Sequence, residues 1–236
     1  MNKTTLLIIS IFILILSCKK DDDTVIYSSN IPNDYIAKYS LDNNSLDDSE
    51  NENHGDIIGN VWPTVNRYGF ENSAMYFRTN QAYINVDNSQ ELNLLDSYTI
   101  SVWVKSSLLE GNNWKTIISK WGWGDGYYLG INPDNLKLRY SLGTTKIELE
   151  SPFEAYKWTH ILITHDLTHL KIYLNGVINK EIIIENEMSG THYPFRIGGQ
   201  DGYIDGTSFN GAIDDILIYD RVLNSDEINE LNIGNY

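Results

Sequence analysis

Two stretches of this 236-residue chain carry side chains whose types and spacing could do chemistry. In Trp121-Gly122-Trp123-Gly124-Asp125-Gly126-Tyr127-Tyr128, four aromatic rings sit among three glycines and one carboxylate. Glycine lets a partner approach the backbone closely, and an aromatic ring offers an apolar face, with one polar N–H in the case of Trp. That combination suits stacking on a sugar ring while Asp125 accepts hydroxyl protons. Trp121, Trp123 and Asp125 are therefore the candidate ligand-binding residues. Tyr127 and Tyr128 fall in a strand pattern and are expected in the core; for the two Trp rings the core reading stands beside the binding one. The Gly/Asp-rich loop 198–206 reads as a plain flexible surface loop, with a second wall of the site as the alternative.

The second stretch is Asp214-Asp215, inside the run 209–219. Ala212, Ile216 and Ile218 make one alternation set and Ile213, Leu217 and Tyr219 the other, the pattern of a strand covered on both faces. A carboxylate among aliphatics is costly unless it is neutralised, hydrogen-bonded or bound to a metal. Adjacent strand residues point to opposite faces, so one Asp is expected on each face, which rules them out as a catalytic pair. Glu148-Leu149-Glu150 places two carboxylates on one face without a third. His160, His165 and His169 lack zinc-site spacing and are expected to be ordinary strand and turn residues. No nucleophile elbow, phosphate loop or dinucleotide fingerprint occurs, so no enzymatic activity is expected.

These groups need a β framework, and the chain supplies one. Short β-type runs alternate with Gly, Asn and Asp clusters; residues 98–105 alternate cleanly, and Asn175-Gly176 marks a tight hairpin between 170–174 and 177–184. One helix is expected near the C-terminus, capped by Asn224 with Glu227 in a capping box and with Ile228 and Leu231 facing inward. A dozen or so short strands with regular turn signals point to an antiparallel sandwich.

The N-terminal 33 residues read differently. Lys3 precedes an apolar run, 6–16, too short to span a bilayer but of the length of a signal-peptide core. The run ends at Ile15-Leu16-Ser17-Cys18, which resembles the lipobox of bacterial lipoproteins, with Cys18 as the expected lipidation site; Leu16 is bulkier than is usual there. Lys19-Lys20-Asp21-Asp22-Asp23 resembles the tag that sends some lipoproteins to the outer face of the outer membrane. The expected organisation is a signal peptide at 1–17, an acidic flexible tether at 18–33 and one domain at 34–236. Cys18 is the only cysteine, so that domain holds no disulfide. With 32 acidic against 17 basic residues the formal charge is −15, and removal of Lys3 with the leader makes it −16. Such a surface disfavours nucleic acid and anionic lipid and suits cations and neutral polar ligands.

In this order the motifs resemble the laminin G-like jelly rolls of the concanavalin A-like lectin/glucanase superfamily. The match begins at Tyr39-Ser40-Leu41-Asp42 and at the acidic loop 47–55, where Glu50 and Glu52 replace the family's glycines. It continues through Thr99-Ile100-Ser101-Val102-Trp103-Val104, Trp158, Tyr173-Leu174-Asn175-Gly176 and Arg196-Ile197-Gly198-Gly199, and closes on 211–219 with the capped helix. The resemblance implies an all-β, antiparallel two-sheet jelly-roll sandwich with one short C-terminal helix. It also implies a structural calcium ion held by Asp47, Asn53 and Asp214. The Glu-x-Asp-x-x-Glu strand of the glucanases sharing the fold is absent. Together these readings describe a non-catalytic, surface-anchored module that binds carbohydrate or, as the alternative, a protein partner.

Overall fold

The computed structural model describes residues 31–78, 81–107, 111–122, 124–149, 153–184, 190–200 and 206–234. Cys18, the leader and most of the tether lie outside the described residues, as do Trp123 and the loop 201–205. In chain order the elements are β1 (Ala37–Tyr39), β2 (Gly55–Ile58), β3 (Val61–Thr64), β4 (Ala74–Phe77), β5 (Tyr83–Val86), β6 (Tyr98–Ser106), β7 (Lys115–Gly122) and β8 (Asp125–Ile131). They continue as β9 (Leu138–Leu142), β10 (Thr145–Glu148), β11 (Thr159–His165), β12 (His169–Leu174), β13 (Val177–Ile183), β14 (Phe195–Ile197), β15 (Gly211–Tyr219) and α1 (Ser225–Ile233).

Two antiparallel sheets form the expected sandwich. One is eight-stranded, ordered β13-β12-β11-β6-β15-β4-β3 with β1 also on β15; the other is seven-stranded, ordered β10-β9-β8-β7-β14-β5-β2. The inner faces meet in a continuous core that includes Ile100, Val102, Val104, Ile161 and Ile163 from the first sheet and Ile118, Tyr127, Leu129, Tyr140 and Phe195 from the second. Asn175 (φ 49°) and Gly176 (φ 76°) make the hairpin turn between β12 and β13, as the Asn-Gly pair requires. The helix is capped as expected: Asn224 Oδ1 accepts from the backbone N–H of Asp226 and Glu227, and Glu227 accepts from Asn224 N–H. Ile228 and Leu231 then pack with Leu162, Leu217 and Tyr219 on the outer face of the eight-stranded sheet.

The closing strand departs from simple alternation. β15 is buried along its whole length, as expected of an interior strand. However, Asp214 pairs with Trp103 whereas Leu217 pairs with Ser101, so β15 carries one more residue than β6 in this interval. Asp215 supplies the bulge with φ 43°, a left-handed conformation that Asp tolerates better than most residues. The bulge shifts the phase: Ile213, Ile216 and Ile218 all enter the inter-sheet core, while Leu217 and Tyr219 face the helix. The expectation of one Asp on each face is thereby corrected. Both carboxylates meet the same Arg67 nitrogen.

Candidate functional site

The outer faces of the two sheets differ. That of the eight-stranded sheet carries the helix and, beside it, a buried polar cluster. That of the seven-stranded sheet is open and bears a groove of about 250 Å³. Strand register brings its side chains together. Trp121 lies two residues beyond Ser119, which pairs with Tyr128; Tyr128 pairs in turn with Ser141, and Ser141 with Lys146. Because alternate residues share a face, Trp121, Tyr128, Ser141, Arg139 and Lys146 all line the groove. Asn113 and Trp114, just before β7, and Gln200 and Thr207, on the loop between β14 and β15, complete it.

Several of these side chains are held in place. Arg139 stacks on Trp114 with its guanidinium carbon 3.7 Å from the ring centroid, and its Nε and Nη2 both donate to Glu148 Oε1 across β9 and β10. Tyr128 lies along its own strand over Gly130, where a Cβ would meet the Tyr128 oxygen at 2.0 Å. Burial raises the Tyr128 phenol well above its ordinary pKa, so it stays protonated. The two described ends of this loop are tied down as well: Ser119 Oγ donates to Gly199 O at 2.8 Å, Lys115 Nζ to Gly206 O at 2.6 Å and Arg196 Nη1 to Gln200 O at 3.0 Å.

Of the ligand-binding candidates, Trp121 is half-buried and lines the groove. Asp125 is exposed at the start of β8, in the same hairpin but outside the groove lining, and Trp123 falls outside the described residues. Tyr127 enters the core as expected, but Tyr128, expected there too, is buried on the outer face. Trp114, Arg139 and Lys146 were not singled out from the sequence. Trp114 stands alone before a strand, and only the register of β7 to β10 brings these three together.

The two carboxylates implied as calcium ligands are otherwise engaged. Asp47 Oδ1 accepts from the backbone N–H of Lys38 and Ser49, and its Oδ2 from Ser49 Oγ and Asn53 N–H, all at 2.9 Å. Asn53 is thus brought to Asp47, but through its backbone. Its carbonyl accepts from Tyr39 Oη at 2.7 Å. Asp214 Oδ2 lies 3.2 Å from Arg67 Nη1, and Asp215 Oδ2 lies 2.5 Å from the same atom. Burial, then the neighbouring Asp215, pushes the Asp214 pKa up, and burial raises Asp215 too; Arg67 opposes both shifts. Calcium asks for about six to eight oxygens with free lone pairs. A carboxylate saturated by four N–H and O–H donors and another facing a guanidinium do not fit it in this arrangement. Among the described residues no three His, Cys, Asp or Glu side chains gather as a metal site.

Arg67, also missed in the sequence, organises this second cluster. It stacks between Tyr68 at 4.5 Å and Trp103 at 4.6 Å, and its Nη2 donates to Gly234 O at 2.9 Å. Tyr68 Oη donates to the same carbonyl. On its other side Trp103 stacks on His160, whose Nε2 lies 2.7 Å from Ser101 Oγ. The cluster clamps the end of the helix, and its Arg67, Asp214 and Asp215 side chains are buried.

Comparison with known proteins agrees with this architecture. Domain 4 of AbnA, an extracellular arabinanase of Geobacillus stearothermophilus solved with arabinotriose, is 21% identical with a TM-score of 0.65, over 84% of this chain and 98% of that one. The receptor-binding domain of a botulinum neurotoxin C/D mosaic is 21% identical with a TM-score of 0.68, over 86% of this chain. The botulinum neurotoxin DC binding domain, solved with rat synaptotagmin II, is 17% identical with a TM-score of 0.65. The chain spans about half the length of these toxin domains, 52% and 51%. At such identities the likeness establishes the fold alone. No curated protein sequence matches. A family model does match, across residues 78–229, and by it this chain belongs to the laminin G-like group of the concanavalin A-like lectin/glucanase superfamily.

Proposed function

We propose that this protein is a non-catalytic carbohydrate-binding module, held at the cell surface by a lipid on Cys18. The observation that carries the reading is the groove on the seven-stranded sheet. There Trp121 offers ring surface beside the buried Tyr128, while Asn113, Ser141 and Gln200 offer hydrogen bonds to hydroxyls. Apolar faces flanked by a few convergent polar groups are the usual make-up of a small-ligand site. The arabinanase domain, solved with a sugar, has the same fold and is spanned almost completely. Calcium is given no role in this reading, since Asp47 and Asp214 are engaged by protein donors.

A glycan-array screen of the full chain, repeated with Trp121→Ala, tests the proposal. The expected result is a defined set of glycans bound by the natural chain and lost in the variant. The anchor is tested separately: Cys18→Ala is expected to release the protein from the membrane fraction, and retention there would remove the anchor from the account. One observation favours a protein partner instead. The edge strand β13 exposes Val177 (69%), Ile178 (50%) and Ile183 (64%), a row onto which another chain could pair. A blank array, with protein capture abolished by charged substitutions at Val177 and Ile183, would favour that reading.

A further inference from the structure

We propose that the groove takes an acidic saccharide, its anionic group held by Arg139 and Lys146 while a sugar ring lies against Trp121. The inference rests on the carbohydrate reading and narrows its ligand class. The whole chain carries a formal charge of −15, yet the described groove lining holds two cations and no carboxylate. In so acidic a molecule, a positively lined recess focuses attraction on anions that the surrounding surface would repel.

The two cations are suitably placed. Arg139 pairs with Glu148 and Ser141 with Lys146, so Lys146 stands diagonally across from Arg139 on one face. Diagonal neighbours lie roughly 7–8 Å apart, within reach of two long side chains. Trp114 fixes the plane of the guanidinium, and Glu148 takes Nε and one N–H of Nη2. A guanidinium has about five N–H donors, so its remaining edge is left to bind an oxyanion in the fork geometry that favours carboxylates and sulfates. The Arg139–Glu148 pair is itself partly exposed and weak, so it orients Arg139 without silencing it. Lys146 is exposed and has no ion-pair partner among the described residues.

The test is isothermal titration of the full chain with polygalacturonate, with the same polymer fully methyl-esterified, and with dextran and dextran sulfate. The acidic polymers are expected to bind about ten-fold or more tightly than their neutral counterparts. That preference is expected to fall at high salt and to disappear in Arg139→Gln/Lys146→Gln, with Trp121→Ala weakening acidic and neutral ligands alike. Lys146→Gln alone, at an exposed position, is expected to lose part of the preference with an unchanged melt. A preference confined to dextran sulfate would assign the anion as sulfate, and one confined to polygalacturonate as carboxylate. Equal binding of acidic and neutral polymers, unmoved by salt or by these variants, would overturn the inference and leave the carbohydrate reading intact. Binding to none of them, together with a blank glycan array, would remove both.

Discussion

At the scale of single residues, Arg67 bears directly on stability through two buried partners, Asp214 and Asp215. Its one positive charge offsets the Asp215 carboxylate, while burial and that neighbour keep Asp214 protonated, and removing one partner of such a buried group typically costs about 3–5 kcal/mol because the remaining charge is stranded. Arg67→Ala is therefore expected to lower urea stability by about that amount, and adding Asp214→Asn and Asp215→Asn is expected to restore part of it. His160 makes a second residue-scale prediction. Burial, helped by the Arg67 charge, lowers its pKa from 6.5 to about 3. A depressed base is neutral in the folded protein while the unfolded chain takes up a proton, so stability is complete above pH 6.5 and falls as the pH drops towards about 3. One such group contributes about 1.4 kcal/mol per pH unit, and His165, also lowered by burial, adds to the same limb. His160→Gln, followed by denaturant titrations across this range, is expected to make the acid limb shallower by one proton. Trp121 was legible in the sequence because its ring stands among glycines. Arg67, Trp114 and Arg139 were not, since each matters through partners far along the chain: 147 residues separate Arg67 from Asp214.

At the scale of elements, the strands, the Asn-Gly hairpin and the Asn224 cap could all be read locally, because turn chemistry and alternation are properties of neighbouring residues. The β15 bulge could not. It arises from one left-handed residue against the register of β6, and only the pairing of the two strands reveals the extra residue. The groove floor depends on an equally tight fit. At Gly130 a Cβ would meet Tyr128 Oη at 2.0 Å and the Lys115 carbonyl at 2.8 Å. Gly130→Ala is expected to displace the Tyr128 ring, costing about 1–3 kcal/mol of stability and weakening glycan binding more than an exposed change such as Thr144→Ala. Unchanged binding in the Gly130 variant would mean that Tyr128 does not shape the site.

At the scale of the whole molecule, the two-sheet sandwich was legible from the order of its motifs. Which outer face stays open was not, because that depends on where α1 and the Arg67 cluster settle. Their placement on the eight-stranded sheet leaves the seven-stranded face uncovered by them and makes charge balance at β15 internal. Thermal melts with a chelator, and again after calcium is restored, are accordingly expected to share one midpoint; a rise on calcium addition would show the carboxylates regrouping around the ion. The central claim, that sugars bind on the seven-stranded face, is tested most directly by indole N–H resonances of the full chain titrated with the best-bound glycan, assigned by single Trp→Phe variants. The expected result is movement of the Trp114 and Trp121 signals, with that of Trp103, buried beside Arg67 on the opposite face, unmoved. A shift at Trp103 or Trp62 with Trp114 and Trp121 silent would contradict the account.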